Sequence, residues 1–220
     1  MDYKKTCEKF IKKGVSIIDI NNTYIDDNVQ IDVGTVIYPN VSIRGDSIIG
    51  KNNIIDMNSV IIESNIGDNN HIRSSYIENS TIENNNEIGP FSHIRNDSFI
   101  HNNITIGNFV EIKKSNIHDG TKSKHLSYLG DAEIFENVNI GAGVITANLN
   151  GKSKIKNKTL ISDNVYVGAN SVLIAPVTLN KNSIIAAGSI ITKDVGEYDL
   201  AIARNRQINK SNYNKKEGTV

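Results

Sequence analysis

Isoleucine recurs at every sixth position along much of this chain, beginning with Ile31, Ile37, Ile43, Ile49, Ile55 and Ile61. Compact residues follow the first five of these by four positions, namely Thr35, Val41, Ser47, Asn53 and Ser59. A period of six differs from the 3.6-residue period of a helix and from the simple alternation of an amphipathic strand. It predicts a short strand and a corner in each unit, with one aliphatic side chain pointing inward. Three units would close a triangular coil of about 18 residues, as in a parallel β-helix.

The repeat continues with a few one-residue slips and one interruption. It shortens by one residue before Ile66, Ile77 and Ile82, and we interpret those steps as short corners. It then runs on as Ile88, Ile94, Ile100, Ile106 and Ile112, and returns as Ile161, Val167, Leu173, Leu179, Ile185 and Ile191. An inserted loop over residues 147–158 leaves the pattern and carries four lysines. Such a loop on a rigid scaffold often binds a ligand, although a solvated run of charge explains it equally well.

The two ends of the chain differ from the repeat. Residues 1–14 predict a short helix, because Cys7, Phe10 and Ile11 fall on one helical face and Gly14 is placed to end it. Residues 15–196 form the predicted β-helix domain. Residues 197–220 form a C-terminal extension with an apolar start and a polar tail. The predicted fold class is therefore all-β, with a short N-terminal helix and an extended C-terminal tail.

The composition excludes several classes of function. Lys+Arg and Asp+Glu are balanced at 24 each, so charge does not favour nucleic acid or an anionic membrane as the partner. The sequence has no apolar run of roughly 20 residues that could span a bilayer and no signal peptide at its start. The single cysteine, Cys7, fits a reducing compartment. We therefore expect a cytoplasmic protein that binds neither nucleic acid nor membrane.

Two cations are placed one above the other by the repeat. Arg95 follows Ile94 and Lys113 follows Ile112, and their separation, 113 − 95 = 18, is one coil. Stacked cations repel unless they share an anion, so the pair predicts a phosphate site. The alternative is a chance surface pair, since Glu111 could neutralise one of the two cations.

His125 is the best candidate for acid–base chemistry. It lies near Tyr128 and Asp131 in the sequence and roughly one coil beyond Lys113. A neutral imidazole is a good general base near pH 7, although a surface histidine is the simpler interpretation. Ser127 is not an obvious nucleophile, because no neighbouring base activates it. The histidines also lack the spacing of metal-binding β-helix proteins, and we predict no metal site.

The same region resembles a known family. The matching runs are Gly89–Phe91, Ile94–Arg95, Ile106–Lys114, His125–Glu133, Asn137–Gly143, Ala175–Thr178, Ile185–Gly188 and Ala201–Arg204. Together they resemble the acetyltransferase domain of the bifunctional UDP-N-acetylglucosamine pyrophosphorylase/glucosamine-1-phosphate N-acetyltransferase of bacteria. Hexapeptide repeats alone are a weak signal shared by many acyltransferases. The Asn108–Lys114 and His125–Glu133 runs are specific, and the resemblance covers nearly the whole chain.

The resemblance implies a left-handed β-helix, a homotrimer with sites between subunits, and acetyl-CoA as co-substrate. The implied reaction is direct acetyl transfer to the 2-amino group of glucosamine 1-phosphate, with His125 as the general base. The residues matching the sugar-phosphate site are Arg95, Lys113, Tyr128, Asn139 and Lys154. The residues matching acetyl-CoA contacts are Ala142, Asn148, Leu149, Ala169, Ala187 and Arg204. Backbone N–H groups near Asn139–Gly143 would stabilise the oxyanion.

The sequence departs from the family pattern in several places. The nucleotidyltransferase domain is not in this sequence, so we expect no uridylyl transfer and no Mg²⁺ requirement, and a separate uridylyltransferase is a possible partner. Leu149 and Ala169 replace the usual Tyr and Ser of the CoA region. The loop is also two residues longer, which makes Lys156 an alternative to Lys154. Another amino sugar or a nucleotide-linked amino sugar as acceptor, or a non-catalytic β-helix subunit, are the competing hypotheses.

Overall fold

A short helix closes one end of the molecule. The computed structural model describes residues 2–214, and in it helix α1 spans Tyr3–Ile11. The Asp2 side chain caps α1 by accepting a hydrogen bond from Lys5 N at 3.2 Å. Cys7 and Phe10 are buried against the first coil, and burial raises the pKa of the Cys7 thiol. The helix ends before Gly14, whose φ of +90° turns the chain into the β-helix.

All other elements are short strands. In chain order they are β1 Ser16–Ile17, β2 Tyr24–Ile25, β3 Gln30–Ile31, β4 Val36–Ile37, β5 Ser42–Arg44, β6 Ile48–Ile49, β7 Ile54–Ile55, β8 Val60–Ile62, β9 Asn65–Ile66, β10 His71–Ile72, β11 Tyr76–Glu78, β12 Thr81–Ile82, β13 Glu87–Ile88, β14 His93–Arg95, β15 Phe99–Ile100, β16 Thr105–Asn108, β17 Glu111–Lys113, β18 Asn116–Ile117, β19 Lys122–His125, β20 Tyr128–Gly130, β21 Ala132–Ile134, β22 Asn139–Ile140, β23 Ile145–Ala147, β24 Thr159–Ile161, β25 Tyr166–Val167, β26 Val172–Ile174, β27 Val177–Leu179, β28 Ile184–Ile185, β29 Ile190–Ile191 and β30 Leu200–Ala201.

The strands form three parallel sheets, which are the three faces of a triangular coil. Face A contains β1, β4, β7, β10, β13, β16, β19, β22, β25, β28 and β30. Face B contains every third strand from β2 to β29, and face C every third strand from β3 to β27. Each strand therefore pairs with the strand one coil later. The predicted all-β parallel β-helix is confirmed, with about ten coils rising from α1.

The register explains the slips in the repeat. Ile94 pairs with Ile112, one full coil of 18 residues away, as the periodicity predicts. Ile61 instead pairs with Ile77, because two corners in that coil are each one residue short. The predicted inward aliphatic residues are buried throughout both runs of the repeat. Two polar residues replace inward aliphatic residues near the middle of the chain. Ser123 pairs with Ile106 and Ile140 on the neighbouring coils, and Thr146 pairs with Leu173.

Asparagine dominates the corners and also forms a buried ladder. Thirteen asparagines among the described residues have positive φ, and the twelve in the coil, including Asn40 and Asn58, adopt the left-handed conformation that asparagine tolerates better than most residues. Inside the coil, the Asn70 side chain accepts a hydrogen bond from Asn86 N at 2.9 Å and donates one to Glu83 O at 2.7 Å. These bonds satisfy a buried polar column that would otherwise be costly.

A loop interrupts the coil, and one more short strand follows at its far end. The chain leaves the coil after Ala147 and rejoins it at Thr159, so the insertion occupies residues 148–158. Strand β30 pairs with β28 at the far end of face A. Residues 205–214 are exposed, and the last six residues of the predicted extension lie outside the described part of the chain. Within residues 2–214, no helix has the length and apolar character to cross a membrane.

Candidate active site

Two stacked cations lie at the end of the face B strands, as predicted. Arg95 in β14 pairs directly with Lys113 in β17. The Glu111 carboxylate accepts hydrogen bonds from Arg95 Nε at 2.9 Å and Arg95 Nη2 at 2.5 Å. Glu111 therefore neutralises the charge of Arg95, as the alternative interpretation of the sequence allowed. Lys113 has no such carboxylate partner of its own among the described residues.

A second ammonium group approaches Lys113 from the inserted loop. The side chain of Lys156 lies near that of Lys113, and the repulsion between the two ammonium groups lowers the pKa of Lys113. Partial burial and Arg95 lower the pKa further, whereas Asp131 opposes the shift. Lys156 Nζ also lies 3.9 Å from Asp131 Oδ2. Three cations thus share one small region with two carboxylates.

The loop is a hairpin, and its pairing places Lys156 rather than Lys154 at the cations. Leu149 and Lys156 form an antiparallel bridge, and Asn157 N donates to Asn148 O at 2.8 Å. Lys156 therefore leaves from the base of the hairpin, next to face B. Lys154 lies in the turn, with a φ of +59° and its N–H bonded to Asn150 O at 2.9 Å. Lys154 matched the family lysine, but the alternative, Lys156, is the one beside Lys113.

His125 ends strand β19 at the edge between faces A and B. Its Nδ1 lies 3.0 Å from Asn108 Oδ1 on the preceding coil. Since that oxygen can only accept a hydrogen bond, the contact places the imidazole proton on Nδ1 and the lone pair on Nε2. The ring is exposed. The geometry therefore presents a basic nitrogen at the surface.

Ser127, two residues further on, is not arranged as a nucleophile. Its side chain is buried, and its hydroxyl donates to His125 O at 2.9 Å and to Gly141 O at 3.2 Å. The hydroxyl is therefore part of the coil's internal hydrogen bonding, as the sequence led us to expect.

Tyr128 lies on face B between His125 and the cations. It occupies the start of β20, while Gly130, at the end of the same strand, pairs with Lys113. The aromatic ring runs along the strand and lies over Gly130, so that a Cβ on Gly130 would be 2.6 Å from Tyr128 Cζ. The phenol thereby lies over the residue that pairs with Lys113. Face B thus carries an imidazole at one edge, a phenol in the middle and cations at the other edge.

Asn139 is not brought to face B. It begins β22 on face A, where its neighbours along the column are Lys122 and Tyr166. A corner separates it from Tyr128 and the cations. Within one chain, the predicted sugar-phosphate residues therefore fall on two faces.

The predicted acetyl-CoA residues form two groups at two different corners. Ala142, Ala169 and Ala187 stack on successive coils between faces A and B, where Asn170 N donates to Ala142 O at 2.7 Å and Gly188 N to Ala169 O at 2.8 Å. Arg204 lies at the end of this column, beside Gly188. The small side chains leave the backbone open along one strip of surface.

The second group, Asn148 and Leu149, lies between faces B and C at the base of the hairpin. The Asn148 side chain is almost completely buried and donates to Asp131 Oδ2. Leu149 is 54% exposed. The side chain of Asn148 thus holds the hairpin through its bond to Asp131.

Most of the predicted oxyanion donors are already used. Asn139 N donates to Val165 O at 3.0 Å, Gly141 N to Val167 O at 2.8 Å and Gly143 N to His125 O at 3.3 Å. These bonds join neighbouring coils. In the part of the chain that the structure describes, the Ala142 N–H has no protein acceptor, so it is the donor of this stretch that is open to a ligand.

One group of potential metal ligands lies away from this region. Glu83, His101 and Asp119 bring ligand atoms within 4.8 Å of one another. Both carboxylates already accept hydrogen bonds from the Asn102 side chain, and Asp119 Oδ1 also accepts from Asn102 N at 2.8 Å. These bonds join successive coils like the other asparagine ladders. We assign the cluster a structural role.

Sequence reasoning overlooked two partners of the site residues. Asn108 bonds His125 from a distance of 17 residues, and the coil spacing that paired Arg95 with Lys113 could have found it. Asp131 connects the Asn148 amide with the Lys156 ammonium group. The same spacing of 17 residues could have found the Asn148 contact, whereas the Lys156 contact depends on how the hairpin folds back.

The fold and the repeat define the class of protein. A family model described as bacterial transferase hexapeptide (six repeats) matches residues 158–193. In the solved structures, the chain resembles the UDP-N-acetylglucosamine acyltransferases of Campylobacter jejuni and Francisella novicida. The TM-scores are 0.63 and 0.53, over 86% and 85% of this chain and 71% and 66% of theirs. Sequence identities of 15% and 18% limit that likeness to the fold.

Closer relatives are found among proteins named bifunctional protein GlmU. The chain is 46% identical to the Shouchella clausii protein over 97% of its own length and 47% of the relative's. It is 49% identical to the Geobacillus sp. protein over 96% of its own length and 45% of the relative's. The chain spans about half the length of the curated relatives it matches. The chain is therefore a hexapeptide-repeat protein similar to one half of these relatives, and the resemblance inferred from its sequence is confirmed.

Proposed function

We propose that the chain transfers an acetyl group from acetyl-CoA to the 2-amino group of glucosamine 1-phosphate, in the synthesis of UDP-N-acetylglucosamine. The observation that carries this proposal is the close approach of Lys113 and Lys156 beside Arg95. Neighbouring ammonium groups beside a guanidinium group favour a bound anion, and a phosphate monoester has the charge and the acceptor atoms to join all three. The GlmU relatives support an amino-sugar phosphate as that anion.

Different side chains contact different parts of the acceptor, glucosamine 1-phosphate. Lys113 and Lys156 bind the phosphate as point charges, and Arg95 turns from Glu111 to add a directional contact. The Tyr128 hydroxyl donates to the sugar phosphate from the middle of face B. Lys156 takes the role that the family resemblance gave to the loop lysine.

His125 removes the proton that the amine must lose. With Nδ1 bonded to Asn108, the lone pair of Nε2 is available to the acceptor amine. The amine nitrogen bonds to the acetyl carbon, its proton passes to Nε2, and the C–S bond breaks to release CoA. The Ala142 N–H can donate to the oxyanion as it forms. The transfer is direct, since Ser127 is committed to the coil and supplies no acyl-enzyme.

A complete site requires more than one copy of the chain. Asn139 lies on face A, around a corner from the cations, so a neighbouring subunit would have to bring it to face B. Face A also carries an exposed apolar column beyond Asn139, consisting of Tyr166, Ile184 and Leu200, which are 50%, 47% and 59% exposed. Aligned apolar side chains of this kind suit a subunit contact. We propose the homotrimer typical of the family, with acetyl-CoA along the alanine column.

An acetyl-transfer assay tests the proposal. The purified chain is incubated with acetyl-CoA and either glucosamine 1-phosphate, glucosamine or a UDP-linked amino sugar, and CoA release is measured. The proposal predicts turnover with glucosamine 1-phosphate and at least tenfold lower kcat/KM with unphosphorylated glucosamine. Preference for the UDP-linked sugar would support the competing acceptor. Absence of turnover together with absence of CoA binding would favour a non-catalytic subunit.

A further inference from the structure

The backbone conformation at position 130 does not require glycine, but the space around it does. Its φ is not among the positive values of the chain's left-handed glycines. A Cβ at this position would instead meet the end of the Tyr128 side chain, at 2.6 Å from Cζ and 2.7 Å from Cε1 and closer still to the hydroxyl oxygen. Contacts this short do not occur between real atoms. The phenol occupies the space that a side chain at 130 would need.

The strand beneath the phenol is held in place from inside the coil. Gly130 N donates to the Thr146 hydroxyl at 2.8 Å, and that hydroxyl donates to Gly130 O at 3.0 Å. Thr146 is completely buried. A methyl group at 130 would therefore displace the free end of Tyr128 more easily than the strand.

The displacement would occur at the cations. Gly130 is the residue paired with Lys113, so the Tyr128 hydroxyl lies over the residue next to Lys113 on the neighbouring coil. Rotation of the phenol away from Gly130 would move the hydroxyl from this place.

We propose that Gly130 is a positioning residue of the acceptor site, which sets the place of the Tyr128 hydroxyl beside Lys113. The inference rests on the proposed function, in which Tyr128 contacts the phosphorylated amino sugar. It adds that the specificity for a phosphorylated acceptor depends on the absence of a side chain two residues after the tyrosine.

The test compares Gly130→Ala with Gly151→Ala. Gly151 has no atom within 4 Å of a Cβ built on it, so the same substitution there serves as the control. Gly130→Ala should raise KM for glucosamine 1-phosphate about tenfold, as expected for loss of a hydrogen bond to a charged group. KM for acetyl-CoA and the midpoint of thermal unfolding should stay close to those of the unaltered chain. An unchanged KM for the sugar phosphate would overturn the proposal.

A double-mutant cycle separates positioning from a merely structural role. If Gly130 acts through Tyr128, the variant with Tyr128→Ala and Gly130→Ala should have the same KM as Tyr128→Ala alone. If Gly130→Ala lowers the unfolding midpoint, adding Tyr128→Ala should restore it, because the clashing ring is gone. Independent, multiplicative effects of the two substitutions, or no restoration, would contradict the proposal.

The same cycle can be measured by calorimetric binding of glucosamine 1-phosphate. Failure of the proposed function is recognised separately, because the unaltered chain would then neither turn over nor bind this sugar phosphate.

Discussion

The corner between faces A and B is built in two different ways. In the N-terminal coils the left-handed position is occupied by Asn40 and Asn58. In the coils of the candidate site it is occupied by Phe91, Phe109 and Leu126, with φ of 60°, 59° and 51°. A bulky residue in this conformation costs about 1–2 kcal/mol more than glycine. All three side chains are more than half exposed, so burial within the chain does not compensate.

The comparison shows that bulky residues adopt the left-handed conformation at this corner in the coils of the candidate site. Phe91 and Phe109 stack with ring centroids 5.6 Å apart, and Leu126 directly follows His125. Backbone strain of this kind is typical of functional sites, where the surrounding structure maintains it. The strained corners lie in the coils that also carry Arg95, Lys113 and His125.

The largest effect is expected from His125→Ala. The proposed general base supplies a factor of 10² or more, so kcat should fall by about that factor with little change in KM. His71→Ala is the matched control from the N-terminal coils, where the imidazole is bonded to Asp56 at 2.7 Å. Steady-state kinetics measure both variants. Near-normal turnover of His125→Ala would show that this residue is not the general base. The coils of the candidate site would then not differ from the N-terminal coils in this function.

A smaller effect should separate the two loop lysines. Lys156→Met should raise KM for glucosamine 1-phosphate about tenfold, because a charge beside the phosphate is lost. Lys154→Met, at the hairpin turn, should change KM less than twofold. Titration calorimetry with N-acetylglucosamine 1-phosphate gives a second readout that is free of the amine. The opposite ranking would show that the hairpin bends differently when the ligand is bound.

The lowered pKa of Lys113 makes phosphate binding depend on pH. As the pH rises through this pKa, the ammonium group loses its charge, so affinity for N-acetylglucosamine 1-phosphate should fall. In Lys156→Met the pKa of Lys113 returns toward its ordinary value, and the fall should occur at higher pH. A lysine whose pKa is lowered by folding binds fewer protons when folded, so its contribution to stability grows over the same rise in pH. Identical pH profiles for the two proteins would contradict the coupling.

The smallest effect concerns the strained corner itself. Leu126→Gly should relieve about 1 kcal/mol of left-handed strain and raise the unfolding midpoint by roughly 2–4 °C. Asn58→Gly, the equivalent change in an N-terminal coil, should alter the midpoint very little. Differential scanning calorimetry measures both. A lower midpoint for Leu126→Gly would show that this side chain is stabilised by packing, as in a contact between subunits.

Much of the fold could be predicted because one physical pattern dictates it. A period of six fixed the inward residues, and its five-residue steps identified the short corners that the strand register now contains. The Arg95–Lys113 stack followed from the same spacing. The hand of the coil and the trimer came from resemblance and stay predictions.

The rest of the site depends on contacts that no period encodes. The choice of Lys156 over Lys154 follows from the pairing of Leu149 with Lys156. The sequence alone left this choice open, because the loop has two extra residues. The contact of Lys156 with Asp131 is a tertiary contact between the hairpin and face B. The placement of Asn139 could have been predicted from the order of the strands. Tyr128 lies on a face B strand and Asn139 on the next face A strand, so the two residues are on different faces.

The most direct test is a crystal structure of the chain with N-acetylglucosamine 1-phosphate. We predict the phosphate within hydrogen-bonding distance of Arg95, Lys113 and Lys156, with the acetamido nitrogen directed toward His125 Nε2. Phosphate bound elsewhere, with these cations still facing solvent or their own carboxylates, would contradict the account.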